Sequence, residues 1–409
     1  MLKKMIKKNK VISWSLYDFA SQPFSTIVVT FIFSSFFTKH IAYDEKIGTQ
    51  MWSNAIAVSA IIVSIISPFI GAIADNTGRK KLFLLLFTFM SSLFTAMLYI
   101  PVKGEIYLAL VFFVVANVSF EICTIFYNSY LPEISNSQNR GAISGFAWGL
   151  GFIGGIVSLL IFQFFLDLEN IHHIKITNIY VGIWYVIFSI PIFLIFKDKV
   201  QTQIQSDLIK NSYLSIKNTV KTISNYKIVL RFLIARLFYN DALITIFGLG
   251  GIYAVTTLDF DFNEVLNLAI VLNIAAGLGS FIFGIFENTV GPKKIIIISL
   301  WILIIATLIA FIAPETNYPK KLFWLSGILI GLMAGPNQSS SRSLMSILVP
   351  EDKKSQFFGF YSLTGKITSF IGPFLFGLIT FYFNQQIALW IVIVLFSIGL
   401  YLINKIKFN

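Results

Sequence analysis

Long runs of apolar residues alternate with short polar stretches along nearly the whole chain. A helix needs about 20 apolar residues to cross a bilayer, and windows of that length mark twelve such runs. The pattern predicts an all-α membrane protein of two pseudo-symmetric six-helix bundles, with an N-terminal bundle over 1–196, a linker over 197–228 and a C-terminal bundle over 229–409. The predicted spans are 11–38, 51–74, 82–101, 106–130, 141–166, 178–196, 229–257, 264–286, 295–313, 322–345, 355–382 and 387–404.

The linker between the bundles contains one helical pattern. Its apolar residues recur at steps of four, three, four and three, while its other faces are basic. Such spacing predicts an amphipathic helix lying on the cytoplasmic membrane surface, and a partly disordered basic linker is the alternative. The apolar positions are Ile209, Tyr213, Ile216, Val220 and Ile223.

Composition and charge agree with a lipid-embedded chain. Hydrophobic residues make up 56% and charged residues 12%, which leaves too little polar surface for a soluble protein of this size. The net charge of +12 lies mostly in short loops beside the spans, so anionic lipid is the expected partner and nucleic acid is not. By the positive-inside rule both termini face the cytoplasm, and the expected location is the bacterial inner membrane. Neither a cofactor nor a metal is expected, and the protein is expected to be a monomer.

Six ionisable residues lie within the predicted spans, at a cost on the order of 3 kcal/mol each near the bilayer centre. They occupy spans 1, 4, 7, 10 and 11, so we expect them to face an internal cavity rather than lipid. The alternative is that they form ion pairs that merely neutralise charge, and that their polar neighbours are interhelical hydrogen-bonding groups. The six are Asp18, Glu121, Arg236, Asp241, Arg342 and Lys366.

These charges predict a zwitterionic or anionic substrate. The chain has five Arg residues, and two of them, Arg236 and Arg342, lie in spans, where a guanidinium offers a bidentate fork for a carboxylate. Glu121 and Asp18 are the candidate partners of an amino group and the candidate proton carriers. The neutral candidates for substrate binding are Gln22, Asn128, Tyr239, Asn240 and Gln338.

A charged turn is repeated in the two halves. The stretch from Gly71 to Lys81 contains Asp75 and returns, 213 residues later, as Gly284 to Lys294, with Asn288 in place of the Asp. A repeat of this kind in a membrane protein is typical of transporters.

The first copy resembles the signature between the second and third helices of the major facilitator superfamily. The resemblance implies that Asp75 and Arg79 belong to a cytoplasmic latch, with Gly78 in the turn and Glu133 and Arg140 as further gating residues. The alternative is that the basic residues of the turn only hold this loop on the cytoplasmic side. That would explain Lys80 and Lys81 but not Asp75. The second copy lacks the Asp and the Arg, so a second latch is not predicted.

Further segments resemble one branch, the unidentified major facilitator family, which is related to the vacuolar amino-acid effluxers of fungi. That resemblance implies a secondary transporter that works by alternating access and moves a small polar solute, with proton coupling as one expectation. A lipid or lysolipid flippase and a sugar transporter are the alternatives. The segments begin at Trp14, Phe126, Arg140, Ala235, Gln338 and Phe357.

An enzyme is the competing class. The three His residues, His40, His172 and His173, show no metal-binding spacing, and the chain has no Walker-type phosphate loop. The sequence therefore predicts neither a membrane enzyme nor an ATP-driven pump.

Overall fold

A computed structural model describes residues 2–43, 45–165, 170–198, 208–221, 226–260 and 262–406, and nearly all of them are helical. Eleven helical segments of the described chain are long and apolar enough to cross a membrane. A further helix of 30 residues, Pro319–Leu348, is long enough but carries a polar run near its end. The prediction of an all-helical fold with twelve membrane spans is confirmed.

The N-terminal half begins with a span that is not a uniform α-helix. After Pro23, which cannot donate a backbone hydrogen bond, the helix widens into π-helical turns at Phe24–Phe31 and Phe37–Ile41. The α-helices of this half are α1 (Leu2–Pro23), α2 (Phe33–Phe36), α3 (Glu45–Thr77), α4 (Lys80–Met97), α5 (Ile106–Ser129), α6 (Leu131–Ile134), α7 (Arg140–Phe165), α8 (Ile171–Ile195) and α9 (Leu208–Lys221).

The C-terminal half differs from the predicted pattern in one span. The run predicted as a single span over 355–382 is interrupted, and its two parts are separate helices. The helices of this half are α10 (Lys227–Leu258), α11 (Phe262–Val290), α12 (Pro292–Ile312), α13 (Pro319–Leu348), α14 (Lys354–Lys366), α15 (Ile371–Tyr382) and α16 (Gln385–Asn404), with a 3-10 turn at Ala313–Glu315.

The chain divides into two compact units. Unit 1 comprises 1–134, 150–216 and 350–363, and unit 2 comprises 135–149, 217–349 and 364–409. Each unit therefore contains a short segment from the other half of the sequence, and α7, α9 and α14 each contribute residues to both units. The bundle and linker boundaries given by the hydropathy pattern stay a prediction.

Unit 1 has an aromatic core. Helix α1 packs against α8, and α5 packs against both α3 and α4. Trp14 stacks on Tyr127 with ring centroids 4.5 Å apart, and its indole N–H donates to the Tyr127 carbonyl. The Tyr17 hydroxyl lies 2.6 Å from the Thr88 hydroxyl and 2.9 Å from that of Tyr185. These contacts fix one face of α1 in the core, so its polar residues lie on the other face.

Unit 2 is built around α13. Helices α11 and α12 both pack on it, and α10 packs against α16 and α15. Small residues allow the close approach of α11 and α13, because a side chain at Gly279, Gly331 or Gly335 would meet the backbone of the facing helix. Helix α13 thereby holds its polar run inside the unit.

Candidate functional site

The interruption of the eleventh span is the main feature of the candidate site in unit 2. Helix α14 ends at Lys366 and α15 begins at Ile371, so four residues within the span are not helical. Turn hydrogen bonds replace the helical ones here, from the Ser369 N–H to the Lys366 carbonyl and from the Ile371 N–H to the Thr368 carbonyl. Helix ends within the spans of transporters commonly bind ligands. Glycines and a Gly-Pro pair in this span are visible in the sequence, but spacing alone gave no indication of a full break.

Predicted binding residues of α10 contact the end of α14. The Arg236 guanidinium, 6% exposed, donates to the Thr364 hydroxyl at 3.3 Å. The side-chain amide of Asn240 donates to the carbonyl of Gly365 at 3.2 Å. A Cβ at position 365 would lie 3.0 Å from the Arg236 guanidinium, which would have to move by a few tenths of an ångström. Arg236 is thus held at the first end of the interruption.

A second predicted residue, Gln338 of α13, joins this cluster through its amide, which donates to the Asn240 side-chain oxygen at 3.2 Å. Lys366 lies at the last position of α14, where a positive charge is favourable beside the carbonyl ends of the helix. The structure therefore brings together four predicted residues around Thr364 and Gly365: Arg236, Asn240, Gln338 and Lys366.

Asp241 lies at the other end of the interruption. One of its carboxylate oxygens, Oδ2, accepts from the backbone N–H of Gly372 at 2.9 Å, in the first turn of α15. The Asp241 side chain is 2% exposed. The sequence had suggested that this acid might simply pair with a nearby base, but the contact found is a cap on the N-terminus of a half-helix.

Arg342 and Tyr239 lie outside this cluster. The Arg342 guanidinium donates to the Ser144 hydroxyl at 3.0 Å and to the Ser144 carbonyl at 2.7 Å, and it lies over the Trp148 ring. Tyr239 is fully buried, with its hydroxyl 2.8 Å from that of Ser341. The two buried arginines of unit 2 therefore have different surroundings, and Arg342 binds the first turns of α7.

The predicted residues of unit 1 lie on partly exposed faces of α1 and α5. Asp18 and Gln22 share one face of α1, and Glu121 and Asn128 share one face of α5; all four are half-buried. Glycines of α7 allow its close approach to α1, since a side chain at Gly151 would contact Asp18. These polar groups are accessible, in contrast to Tyr17 on the core side of α1.

The repeated turn of unit 1 forms a helix cap. The Asp75 carboxylate accepts from the backbone N–H groups of Ser355 at 3.1 Å and Gln356 at 2.8 Å, at the start of α14. Lys80 lies 3.6 Å from Asp75 and 3.5 Å from Glu133, so it bridges the two acids in the position that the resemblance gave to Arg79. Arg79 itself precedes α4, after Gly78 with φ 66°.

The second copy of the turn makes the corresponding contact in unit 2. The side-chain oxygen of Asn288 accepts from the backbone N–H of Ala142 at 3.2 Å, at the start of α7. The offset of 213 residues relates Asp75 to Asn288 and also Ala142 to Ser355. The loss of the Asp therefore removes the charge of the cap and one of its two hydrogen bonds, but the cap still forms at the equivalent helix start, which sequence reasoning did not foresee.

Sequence reasoning missed the buried acid beside this second cap. Glu287, 3% exposed, accepts from the hydroxyl groups of Ser340 and Ser343 of α13. The predicted span ended at 286, whereas α11 continues to Val290. Arg140, predicted as a gating residue, donates to the Ser135 hydroxyl at 3.1 Å and interacts electrostatically with Glu287.

The fold is that of major facilitator transporters. The structure of the human organic anion transporter MFSD10 (TETRAN) superposes with a TM-score of 0.78 at 11% identity, covering 97% of this chain and 99% of that one. The proton:xylose symporter XylE superposes with a TM-score of 0.76 at 13% identity, covering 98% and 96%. The chain is therefore a multi-pass membrane protein with the major facilitator fold.

Sequence comparison gives the family. A model of the family described as "Vacuole effluxer Atg22 like" matches residues 49–408, and the chain belongs to this family. The uncharacterized MFS-type transporter YxiO of Bacillus subtilis is 27% identical, over 98% of this chain and 95% of that protein. Autophagy-related protein 22 of Vanderwaltozyma polyspora is 23% identical, over 92% and 86%. These relatives are transporters, so the chain is a secondary transporter of a small molecule and not an enzyme.

Proposed function

We propose that the protein transports a small amino acid or a related carboxylate. The supporting observation is the buried Arg236, whose guanidinium is permanently charged and lies beside the non-helical residues of the eleventh span. A buried guanidinium of this kind favours a substrate with a carboxylate, because its planar fork can donate two parallel hydrogen bonds to the two carboxylate oxygens.

Arg236 is the better candidate for the carboxylate of the substrate. Its guanidinium donates to the Thr364 hydroxyl and so lies beside the non-helical residues of the eleventh span. Arg342 instead makes two hydrogen bonds to Ser144. We assign Arg342 to the anchoring of α7 and Arg236 to substrate binding, with Asn240 and Gln338 as neutral partners.

Recognition of an amino group is proposed for the half-buried acids of unit 1, Asp18 and Glu121. Both lie on the accessible faces of their helices, where a charged group keeps part of its hydration until a ligand arrives. Gln22 and Asn128 lie on the same faces and can hydrogen-bond polar substituents. The description of the family, vacuole effluxer, is compatible with a small solute.

A sugar transporter and a lipid or lysolipid flippase are the competing functions. Structures with this fold include an organic anion transporter and a xylose symporter, so the fold does not decide between them. The buried Arg236 favours the anion or zwitterion, because a guanidinium forms stronger, charge-assisted hydrogen bonds with a carboxylate than with the hydroxyl groups of a sugar.

Uptake by purified protein in proteoliposomes tests the substrate class. We expect uptake of one or more radiolabelled amino acids from a mixture of the twenty, and none of D-xylose or of a fluorescent lysolipid. The matched control replaces Arg231, an exposed residue of the same helix, with Gln and should leave uptake unchanged. Uptake of the sugar or the lysolipid, with the amino acids excluded, would overturn the proposal.

We also propose that both termini face the cytoplasm of a bacterial cell. The loop between α4 and α5 contains Lys103 and the loop between α13 and α14 contains Asp352, and alternation puts them on opposite sides. Cysteines introduced at these positions in a Cys123→Ala background should differ in labelling by a membrane-impermeant maleimide. In intact cells we expect labelling of the cysteine at position 103 and not of the one at position 352. The opposite result would show that the termini face the outside of the cell.

A further inference from the structure

The carboxylate of Asp241 has one oxygen that is not satisfied within the described chain. Oδ2 accepts from the Gly372 N–H, while Oδ1 lacks a hydrogen-bond partner among the described residues. The side chain is 98% buried, since its exposed fraction is 2%. An ionised carboxylate in such a place is costly unless a positive group or a proton neutralises it.

The neighbouring helices do not supply that positive group. Helices α15 and α16, which pack on α10, contain no Asp, Glu, Lys, Arg or His. The other elements packed on α10 have charged residues, but none forms an ion pair with Asp241 among the described residues. These residues are Lys320, Lys321 and Arg342 on α13 and Glu264 and Glu287 on α11.

On α10 itself, the nearest basic residue is directed elsewhere. Arg236 precedes Asp241 by five residues, a rise of about 7.5 Å along the helix, and contacts Thr364 at the far end of the interruption. Lys366 also lies at that end, as the last residue of α14. The two basic groups and the acid therefore occupy opposite ends of the non-helical stretch.

We propose that Asp241 is the proton-binding site that couples transport to a pH gradient, with the proton carried on Oδ1. The assignment moves the coupling role from Glu121 and Asp18, which are half-buried, to the acid that is almost fully buried. The role of this site in coupling rests on the proposed transport function, whereas proton binding itself does not.

The geometry explains how the site can both bind and release a proton. The Gly372 N–H and the N-terminus of α15 stabilise the ionised form, while burial favours the neutral form. Water reaching the four non-helical residues would stabilise the ionised carboxylate and release the proton, and its exclusion would favour protonation. Opening and closing of this stretch to water is therefore sufficient to load and unload the site.

Infrared difference spectroscopy of the full-length protein in lipid tests proton binding without any substrate. As the pH is lowered stepwise, a buried acid gives a C=O stretching band of the neutral carboxyl group. Because Glu287 is also buried, the measurement uses a Glu287→Gln background. We expect the band in that background and its loss when Asp241→Asn is added, whose amide oxygen can still accept from the Gly372 N–H. Asp241→Glu keeps a carboxyl group and should keep a band at a shifted position.

Matched controls separate this site from other acids. Asp259→Asn changes an exposed acid at the end of the same helix, at φ 54°, a conformation that Asn tolerates. This control, Glu121→Gln and Asp18→Asn should each keep the band. If Asp241→Asn does not fold, a shifted band in Asp241→Glu supports the assignment of the band to Asp241. An unshifted band in Asp241→Glu contradicts that assignment.

A transport measurement tests coupling. A gradient of two pH units can support a concentration ratio of about a hundred for one coupled proton, because each unit corresponds to a factor of ten. In proteoliposomes with the amino-acid mixture, Asp241→Asn should lose this accumulation yet keep exchange down the substrate gradient, while Asp259→Asn accumulates as the wild type does.

The outcomes distinguish the two proposals. A band lost in Asp241→Asn together with no amino-acid uptake by the wild type would reject the substrate class and keep the proton site. A band that persists in Asp241→Asn would reject the proton site, as would full accumulation by that variant. If the carboxylate band responds to Na⁺ and not to pH, the site binds a metal cation and not a proton, and the proposal is overturned.

Discussion

Replacing Arg236 with Gln is expected to lower amino-acid uptake at least about a hundredfold, and Arg236→Lys about tenfold. A charge-assisted hydrogen bond contributes about 1.5 to 3 kcal/mol, and each 1.4 kcal/mol is a factor of ten. Lysine keeps the charge but loses the planar fork that binds a carboxylate with two hydrogen bonds. Initial rates over a range of substrate concentrations should show the loss for Arg236→Lys mainly as a higher KM.

The control for this prediction lies on the same helix. Arg231→Lys and Arg231→Gln change an exposed arginine and should leave both KM and maximal rate unchanged. Arg342→Lys should act differently, by weakening the anchoring of α7 at Ser144 and lowering thermal stability more than substrate affinity. Unaltered KM in both Arg236 variants would exclude this residue from the binding site.

Removing the Asp75 cap is expected to slow transport about tenfold or more while leaving substrate affinity within a few fold. Asp75→Ala deletes two hydrogen bonds to the first turn of α14 and the partner of Lys80. Loss of a helix cap costs about 0.5 to 2 kcal/mol, and the loss of an ionised acceptor adds to this cost. Because the cap stabilises only the conformation in which it forms, the change acts on populations of states.

Three further variants determine which groups form the proposed latch. Lys80→Ala should slow transport, since Lys80 bridges Asp75 and Glu133, whereas Arg79→Ala should have the smaller effect. Asn288→Ala removes one neutral hydrogen bond and should cost about 1 kcal/mol, less than Asp75→Ala. An abolished substrate affinity in well-folded Asp75→Ala would instead make Asp75 part of the binding site.

Much of the fold could be predicted from the sequence because a bilayer requires long apolar helices. The hydropathy pattern located the spans within a few residues, and the repeated turn revealed the internal symmetry. The pattern missed the break after Lys366, since residues 367–370 are no more polar than their neighbours. It also missed Glu287, because the predicted span ended at 286, where the polar run from Glu287 to Thr289 begins, whereas the helix continues to Val290.

The candidate site was predicted as a set of residue types and not as an arrangement. Buried charge identified Arg236, Asp241 and Arg342, because charges are rare in spans. Their partners could not be predicted, since Thr364, Gly365 and Gly372 are ordinary residues whose role depends on the break between α14 and α15. The contact of Lys80 with both Asp75 and Glu133 could not be predicted either, because in the sequence Lys80 is one of several lysines.

The polar run of α13 and the break that follows it have a consequence for biosynthesis. Helix α13 is not among the spans apolar enough to partition into lipid by composition, and the span over 354–382 is the least apolar of those that are. Both lie between the strongly apolar α12 and α16. During co-translational insertion the translocon would therefore have to retain these polar segments until α16 emerges from the ribosome, so assembly of the site depends on α16.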